Sequence, residues 1–181
     1  MSLLIRARGP RPACFYDAVV ADGALTIEAA PFDAPGPQSI VLAARDEFDR
    51  LYGQGGRGAH DLSAGDFDPP LGVYLVARLD GHLAGGVGLR PIADRALRFG
   101  EVKRLWIRPD LRRRGVATRL MAEVTEAARA RGYAELYIET GPRQPAAKAL
   151  YESLDWQVVD DFPPGAHTHD EGTRFHRSLL A

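Results

Sequence analysis

The stretch that decides the fold runs from Glu101 to Thr118 and reads Glu-Val-Lys-Arg-Leu-Trp-Ile-Arg-Pro-Asp-Leu-Arg-Arg-Arg-Gly-Val-Ala-Thr. Its first half is rich in branched and aromatic residues, which favour a strand, and Pro109-Asp110 ends that strand with a turn. A helix is predicted from near Gly115 to Arg131, because apolar side chains recur at the spacing of one buried helix face, as Val116, Leu120, Val124 and Ala127. The segment is therefore a strand, a turn and a helix in succession.

The turn before this helix is a candidate anion site. Three arginines, Arg112, Arg113 and Arg114, precede Gly115, and Val116, Ala117 and Thr118 open the helix. Small residues let backbone N–H groups approach a ligand, and free N–H groups at a helix N-terminus together with guanidinium groups suit a pyrophosphate. A solvated basic turn is the alternative from these residues alone, because Lys103 and Lys148 are the only lysines among 23 basic residues and arginine is common throughout the chain.

The wider sequence resembles the GNAT superfamily of N-acetyltransferases. In that family the acetyl-CoA loop has the pattern Arg/Gln-x-x-Gly-x-Gly/Ala, which Arg112, Gly115 and Ala117 match. Downstream, residues 134–140 read as a strand, and residues 144–156 resemble the family's last helix with its Leu150-Tyr151-Glu152 signature. The resemblance covers residues 71–160 well and residues 25–70 loosely, and it implies a mixed α/β fold with a mainly antiparallel central sheet flanked by helices.

The resemblance also implies site residues for an enzyme that takes acetyl-CoA as co-substrate. The backbone N–H of Leu105 would polarise the thioester carbonyl, and Ile107 would pair with the pantetheine arm like an added strand. Residues 112–118 would bind the pyrophosphate. Gln144 stands where many members carry a cofactor-binding Asn, and it keeps the amide while lengthening the reach.

Two side chains are candidate catalytic groups. Glu101 lies eleven positions before Arg112, where histone-acetylating members carry a general base that takes the proton of the amine. A solvent-facing glutamate at the start of a strand is the alternative. Tyr151 resembles the family's general acid, which protonates the departing thiolate, and its alternative is a core aromatic residue. Where many members have Gly-Phe after the last helix, this chain has Asp155-Trp156, and Asp can also adopt the left-handed conformation.

The remaining segments complete the expected domain. Residues 1–23 read as an N-terminal extension, and residues 24–181 as the GNAT-like domain. Beyond the elements above, apolar periodicity and turn residues predict a helix over 40–52 and strands over 25–29, 71–79, 83–89, 99–108, 156–159 and 173–180. Asp80-Gly81 predicts a hairpin turn, and Gly85, Gly86 and Gly88 predict a bulge or a close backbone approach.

Two loops invite other interpretations. The glycine cluster over residues 53–58 follows a helix and matches no nucleotide-binding pattern, so a flexible loop near the acceptor site is predicted. His167, His169, His176, Asp170 and Glu171 resemble a metal-binding set, but no second spaced ligand pair accompanies them. No metal is therefore expected, and a loop that contacts the acceptor is the preferred interpretation.

Composition limits the functional classes. A net charge of -1 argues against nucleic acid as a partner, no apolar run is long enough to span a membrane, and the single Cys14 excludes an intrachain disulfide. A cytoplasmic location is expected, and a homodimer is left open. The predicted function is direct transfer of an acetyl group from acetyl-CoA to a primary amine of an unidentified acceptor; the alternative is a catalytically silent acetyl-CoA-binding sensor module.

Overall fold

The computed structural model describes residues 14–20, 23–53, 62–92, 98–163 and 171–180. Three α-helices lie in these ranges: α1 (Pro35–Tyr52), α2 (Val116–Ala130) and α3 (Pro145–Ser153). The strands there are β1 (Cys14–Val20), β2 (Gly23–Ala29), β3 (Val73–Leu79), β4 (His82–Pro91), β5 (Phe99–Ile107), β6 (Glu135–Thr140), β7 (Gln157–Val159) and β8 (Thr173–Ser178). Short 3₁₀ turns occupy Ala64–Phe67 and Pro109–Leu111. No helix within the described ranges is long and apolar enough to cross a membrane.

The strands form one sheet in the order β1-β2-β3-β4-β5-β6-β8-β7. All neighbouring strands are antiparallel except β5 and β6, which run parallel. The predicted mixed, mainly antiparallel sheet is therefore confirmed. The hairpin prediction is also confirmed, since Asp80 and Gly81 join β3 to β4 with φ angles of 51° and 78°.

The parallel pair opens into a fork. Residues Phe99–Glu101 pair with Glu135–Tyr137, and the pairing stops there although both strands continue. On its other side β5 carries a bulge, because Gly86 and Gly88 of β4 pair with Trp106 and Lys103, which leaves one residue of β4 opposite two of β5. Arg104 lies within the bulge at φ 56°. The second half of β5 thus turns away from β6 and exposes its edge to a cleft.

Helices cover both faces of the sheet. Alternate residues of β3 divide between two hydrophobic clusters: Leu75 packs in the cluster that contains Leu120 of α2, and Tyr74 in the cluster that contains Ile40 of α1. Since successive strand side chains point to opposite faces, α1 and α2 lie on opposite sides of the sheet. The fork between β5 and β6 therefore has α1 on one side and the start of α2 on the other.

Two helix boundaries differ from the sequence prediction. Helix α1 begins at Pro35 rather than at residue 40, because prolines in the first turn of a helix lack only N–H groups that have no partner there in any case. Helix α3 ends at Ser153 rather than at residue 156, where Asp155 adopts φ 60° and the N–H of Trp156 donates to the carbonyl of Tyr151. The left-handed conformation expected of Asp155 is confirmed.

The N-terminal region joins the sheet at its edge. Strand β1 pairs antiparallel with β2 from Cys14 to Val20. Residues 1–13 and 21–22 lie outside the described residues, so the boundary placed after residue 23 remains a prediction.

Candidate active site

A cleft of about 1240 Å³ occupies the fork between β5 and β6. Its walls come from the second half of β5, the end of β6, the first turn of α2, the exposed side of α3 and the last turns of α1. Leu105 and Ile107, the residues predicted to contact the thioester and the pantetheine arm, both line it. The cleft therefore brings most of the predicted site into one continuous space.

The predicted phosphate loop forms one end of this cleft. Gly115 is the N-cap of α2 with φ 81°, and Arg113 also takes a left-handed conformation with φ 66°. No acidic residue lies in the first turn of α2, so nothing there neutralises its positive end. Arg112, Arg113, Gly115, Val116, Ala117 and Thr118 line the cleft, whereas Arg114 is exposed outside its lining. The loop has the geometry of an anion site.

Arg112 reaches away from this loop. Its Nε donates to the carbonyl oxygen of Ile107 at 3.0 Å, and its Nη2 lies 2.5 Å from Oε2 of Glu47 on α1. The same carboxylate oxygen accepts from Nε1 of Trp106 at 2.8 Å. Arg112 thus links the end of β5, the start of the loop and α1.

Sequence reasoning missed Glu47. Although partial burial favours its neutral form, the hydrogen bonds from Arg112 and Trp106 outweigh that effect and hold the pKa of Glu47 below its usual value. Its carboxylate is therefore ionised at neutral pH. The contact joins residues 65 positions apart in the chain, so no local pattern could have revealed it.

Glu101, the predicted general base, lies at the closed end of the fork with its side chain 1% exposed. One carboxylate oxygen lies 2.9 Å from Nη2 of Arg90, and the other lies 2.6 Å from Nζ of Lys103. Arg90 and Lys103 line the cleft, whereas Glu101 does not. The solvent-facing alternative does not describe this residue; its carboxylate positions two cleft cations.

Tyr151, the predicted general acid, is both a core residue and a cleft residue. Its ring packs edge-on against Phe175 at 5.3 Å and near Trp156, and only 4% of the residue is exposed. Its hydroxyl makes no hydrogen bond to any described residue, yet it is not sealed from solvent, and the residue lines the cleft. Burial raises the pKa of Tyr151 well above that of a free phenol, so the hydroxyl keeps its proton.

A family model decides the assignment. The model of the acetyltransferase (GNAT) family matches residues 38–156, which include most of the cleft lining, the loop and Tyr151. The chain belongs to the acetyltransferase (GNAT) family. The resemblance first inferred from the loop and the Leu150-Tyr151-Glu152 signature is thereby confirmed.

Named relatives agree with this membership of the GNAT family. An uncharacterized N-acetyltransferase, YjgM, from Escherichia coli is 30% identical over 94 residues, 52% of this chain and 56% of that protein, so the match spans about half of the relative's length. An IAA acetyltransferase from Azospirillum brasilense is 34% identical over 130 residues, 70% of this chain and 83% of that protein. A crystal structure of PaiA N-acetyltransferase from Thermoplasma acidophilum in complex with coenzyme A shares the fold, with a TM-score of 0.63, 15% identity and coverage of 84% of this chain and 99% of that chain.

Gln144 has a local role in this GNAT chain. It is the N-cap residue of α3, and its Oε1 accepts from the N–H of Gly141 at 3.0 Å and from Oγ1 of Thr140 at 3.3 Å. Its side-chain oxygen is therefore occupied by the turn between β6 and α3. The residue lines the cleft, and its assignment to the cofactor stays a prediction.

The last turn of α1 reaches the β6 side of the fork. The hydroxyl of Tyr52 accepts from the N–H of Arg143 at 3.0 Å, and Nη1 of Arg143 donates to the carbonyl of Leu51 at 2.6 Å. Because Glu47 of the same helix contacts the β5 side, α1 spans the mouth of the fork on one face. Phe48 and Tyr52 stack at 4.4 Å and line the cleft there.

The two predicted loops are only partly described. Residues 54–61 and 164–170 lie outside the described residues, and with them the predicted lid and His167, His169 and Asp170. Glu171 lines the cleft. His176 lies on β8 with Nε2 3.3 Å from Oε2 of Glu135, which also accepts from the Tyr137 hydroxyl at 2.5 Å.

Proposed function

We propose that this chain is an acetyl-CoA-dependent N-acetyltransferase that moves an acetyl group directly to a primary amine. The observation that carries the proposal is the fork: β5 and β6 part immediately beyond Glu101, and the opened edge of β5 leads to the N-terminus of α2. A long, thin co-substrate with an anionic head fits this arrangement. The head meets the loop, and the arm runs along the strand edge.

The residues present fit acetyl-CoA at both ends. At the loop, the left-handed Arg113 and Gly115 orient the backbone for anion binding, and no carboxylate in the first turn of α2 competes. In the fork, the described pairing of β5 with β6 ends at Glu101, so the edge of β5 beyond it faces the cleft and can meet the pantetheine amides. The carbonyl of Ile107 is an exception, because it already accepts from Nε of Arg112. We assign the N–H of Leu105 to the thioester carbonyl, where an oriented donor stabilises the developing negative charge.

Tyr151 supplies the proton that the leaving group needs. The amine nitrogen forms a bond to the acetyl carbon, the carbon–sulfur bond breaks, and the thiolate takes the phenolic proton. The nitrogen releases its surplus proton to water, and Tyr151 regains one from solvent. The raised pKa keeps the phenol protonated at neutral pH, so the acid form is present before each turnover.

In this proposal Glu101 acts by positioning two neighbouring cations, Arg90 and Lys103. Its carboxylate is enclosed, and it holds Arg90 and Lys103 at the wall of the cleft. A buried carboxylate with two cationic partners fixes their positions more firmly than solvent would. We therefore assign Glu101 as a positioning residue. Base catalysis by Glu101 through a water molecule is the alternative role, and a Glu101 variant tests it.

Direct transfer also agrees with where the cysteine lies. Cys14 is on β1, at the far edge of the sheet from β5 and β6, and Cys14 is the only cysteine in the chain. An acetyl-cysteine intermediate would need a thiol at the fork. The amine therefore attacks the thioester itself.

The test combines binding with turnover. Calorimetric titration with acetyl-CoA, with ATP and NAD as controls, measures whether the cleft selects the co-substrate, and free thiol release with a panel of primary amines measures transfer. Amine-dependent thiol release, matched by an acetylated amine in mass spectrometry, supports the enzyme. Binding of acetyl-CoA without release by any amine of the panel favours the sensor alternative.

A further inference from the structure

Glu47 offers the cleft one carboxylate oxygen that accepts no hydrogen bond from the described residues. Its Oε2 accepts two hydrogen bonds, from Trp106 Nε1 at 2.8 Å and from Arg112 Nη2 at 2.5 Å. Its Oε1 makes no hydrogen bond to any described residue and is not enclosed by protein. Since Glu47 lines the cleft with 28% of its side chain exposed, Oε1 is open to a ligand.

The two donors fix the orientation of the Glu47 carboxylate and favour its ionised form. One oxygen is held from two directions, by an indole on β5 and by a guanidinium at the phosphate loop, so rotation of the carboxylate would break both bonds. The same donors keep the pKa of Glu47 low despite its partial burial. An oriented, permanently ionised acceptor in a cleft is suited to a cation rather than to a neutral polar group.

Aromatic side chains line the same cleft as this oxygen. Phe48 and Tyr52, one and five positions along the same helix, stack at 4.4 Å, and both line the cleft together with Trp106. Aromatic faces attract ammonium groups and pack well against flat or apolar bodies. The guanidinium of Arg143 already lies over the Tyr52 ring, 5.8 Å from its centroid, so one face of that ring is occupied. One carboxylate oxygen together with the remaining aromatic surface of the cleft forms a recognition surface for an organic ammonium ion.

The other carboxylates near the cleft are either less open or not held in place. Glu171 lines the cleft and is exposed, but no contact among the described residues fixes its carboxylate. Both oxygens of Glu101 face cations, and that residue does not line the cleft. Glu139 lines the cleft with its side chain only 5% exposed and lies 3.6 Å from Nε of Arg174. Glu47 is therefore the cleft carboxylate that is both held in place and open.

Several cations of the same cleft are already paired, although Arg104 and Arg113 also line it and the charge of Arg50 helps to lower the pKa of Glu47. Arg90 and Lys103 are both paired with Glu101, and Nη1 of Arg143 is paired with a backbone carbonyl. Arg112 occupies only the Oε2 side of Glu47. Repulsion of an incoming ammonium ion is thereby reduced at Oε1.

From these contacts we infer that Glu47 is the acceptor-binding residue: Oε1 receives the ammonium form of a primary amine whose apolar or aromatic body lies against Phe48, Tyr52 and Trp106. The bound ammonium group gives one proton to water before its nitrogen attacks the thioester. This inference rests on the proposed function, because it concerns the second substrate of the same cleft. It narrows the acceptor class to amines that carry a flat apolar group. It also separates the residue that binds the amine from Tyr151, which serves the leaving group.

The test uses a charged probe and a neutral probe of the same shape. 2-Phenylethylammonium and 2-phenylethanol are titrated into the wild-type protein, with and without saturating coenzyme A, at pH 7. The wild type is expected to bind the ammonium at least tenfold more tightly than the alcohol. Glu47→Gln keeps an oxygen for Trp106 and Arg112 but removes the charge, and it is expected to bring the two affinities within about threefold of each other.

Asp49→Asn is the matched control, since Asp49 lies on the same helix, pairs within it with Arg45 at 3.9 Å, and does not line the cleft. It should keep the tenfold preference. Equal affinity of the wild type for both probes overturns the inference, and this outcome needs no variant. A tenfold preference for the ammonium probe that persists in folded Glu47→Gln also overturns it. Failure of coenzyme A to bind the wild type instead contradicts the proposed function, and the titrations without coenzyme A still measure the preference.

Discussion

The hydroxyl of Tyr52 stands where a side chain at Gly141 would begin, since a Cβ built on Gly141 would collide with that oxygen. The ring carbon behind the oxygen would lie 2.9 Å from the same Cβ. A side chain at position 141 would therefore displace Tyr52 from its present position against the β6 side of the fork. The contact closes one end of the cleft mouth.

Gly141→Ala should push Tyr52 out of this position and destabilise the protein by about 1–3 kcal/mol, as overpacking does elsewhere. Thermal unfolding measures the loss. Gly36→Ala, in the first turn of the same helix, is the control, because its Cβ would meet nothing nearer than 3.8 Å. If Tyr52→Leu fails to reduce the cost of Gly141→Ala, the collision with Tyr52 is not its cause.

Gly115→Ala tests the phosphate loop. Gly115 and Gly132 flank α2 with φ angles of 81° and 78°, and a Cβ at either would meet no atom within 4 Å. Each alanine variant should cost about 1–2 kcal/mol from backbone strain alone. Only Gly115→Ala should also weaken acetyl-CoA binding, by at least tenfold, because only that glycine shapes the anion site. Equal affinity of the two variants for acetyl-CoA would show that the loop at Gly115 does not bind the co-substrate.

Tyr151→Phe should lower kcat by about 10²–10⁴-fold, the usual contribution of a general acid. Its hydroxyl bonds no described residue, so the unfolding temperature should hardly change. Tyr133→Phe is the control: it removes a hydroxyl that donates to the carbonyl of Leu71, and Tyr133 does not line the cleft. Unchanged kcat in Tyr151→Phe at every pH would reject the assignment.

The pH dependence of kcat follows from the same residue. A raised pKa means that the protonated, catalytically competent phenol persists below that pKa and is lost only above it. Since an ordinary tyrosine titrates near about 10, the rate should show no loss from phenol ionisation between about pH 7 and pH 9.5. A fall in kcat over that range, present in wild type and absent in Tyr151→Phe, would contradict the raised pKa.

Glu101→Gln should destabilise the fold by about 3 kcal/mol, because it leaves Arg90 and Lys103 beside a buried neutral group. Urea unfolding measures the change. Asp110→Asn is the comparison, since its pair with Arg108 is exposed and should leave the unfolding midpoint unmoved. A Glu101→Gln protein that keeps full stability and loses kcat with an unchanged KM for acetyl-CoA would instead identify Glu101 as the general base.

Much of the fold could be predicted from local sequence. The spacing of Val116, Leu120 and Val124 defines α2, and Asp80-Gly81 defines the hairpin, because both depend on neighbours within a few residues. The prolines misled the prediction of α1, since a residue that breaks a helix interior is favoured in its first turn. Local chemistry and family resemblance together were enough to find the loop.

The acceptor side could not be predicted in this way. Glu47 acquires its role from Arg112, 65 residues away, and Tyr52 from Arg143, 91 residues away. Neither contact leaves a pattern within the helix, where both residues read as ordinary polar positions. The burial of Glu101 was equally hidden, because it depends on Arg90 from the neighbouring strand.

Calorimetric titration of the wild-type protein with acetyl-CoA tests the central claim most directly, since the fork and the loop have meaning for function only if they hold this molecule. The account predicts saturable binding with one site per chain and a micromolar dissociation constant, with no comparable binding of ATP or NAD. Absence of binding at millimolar acetyl-CoA, or equal binding of all three nucleotides, would contradict it.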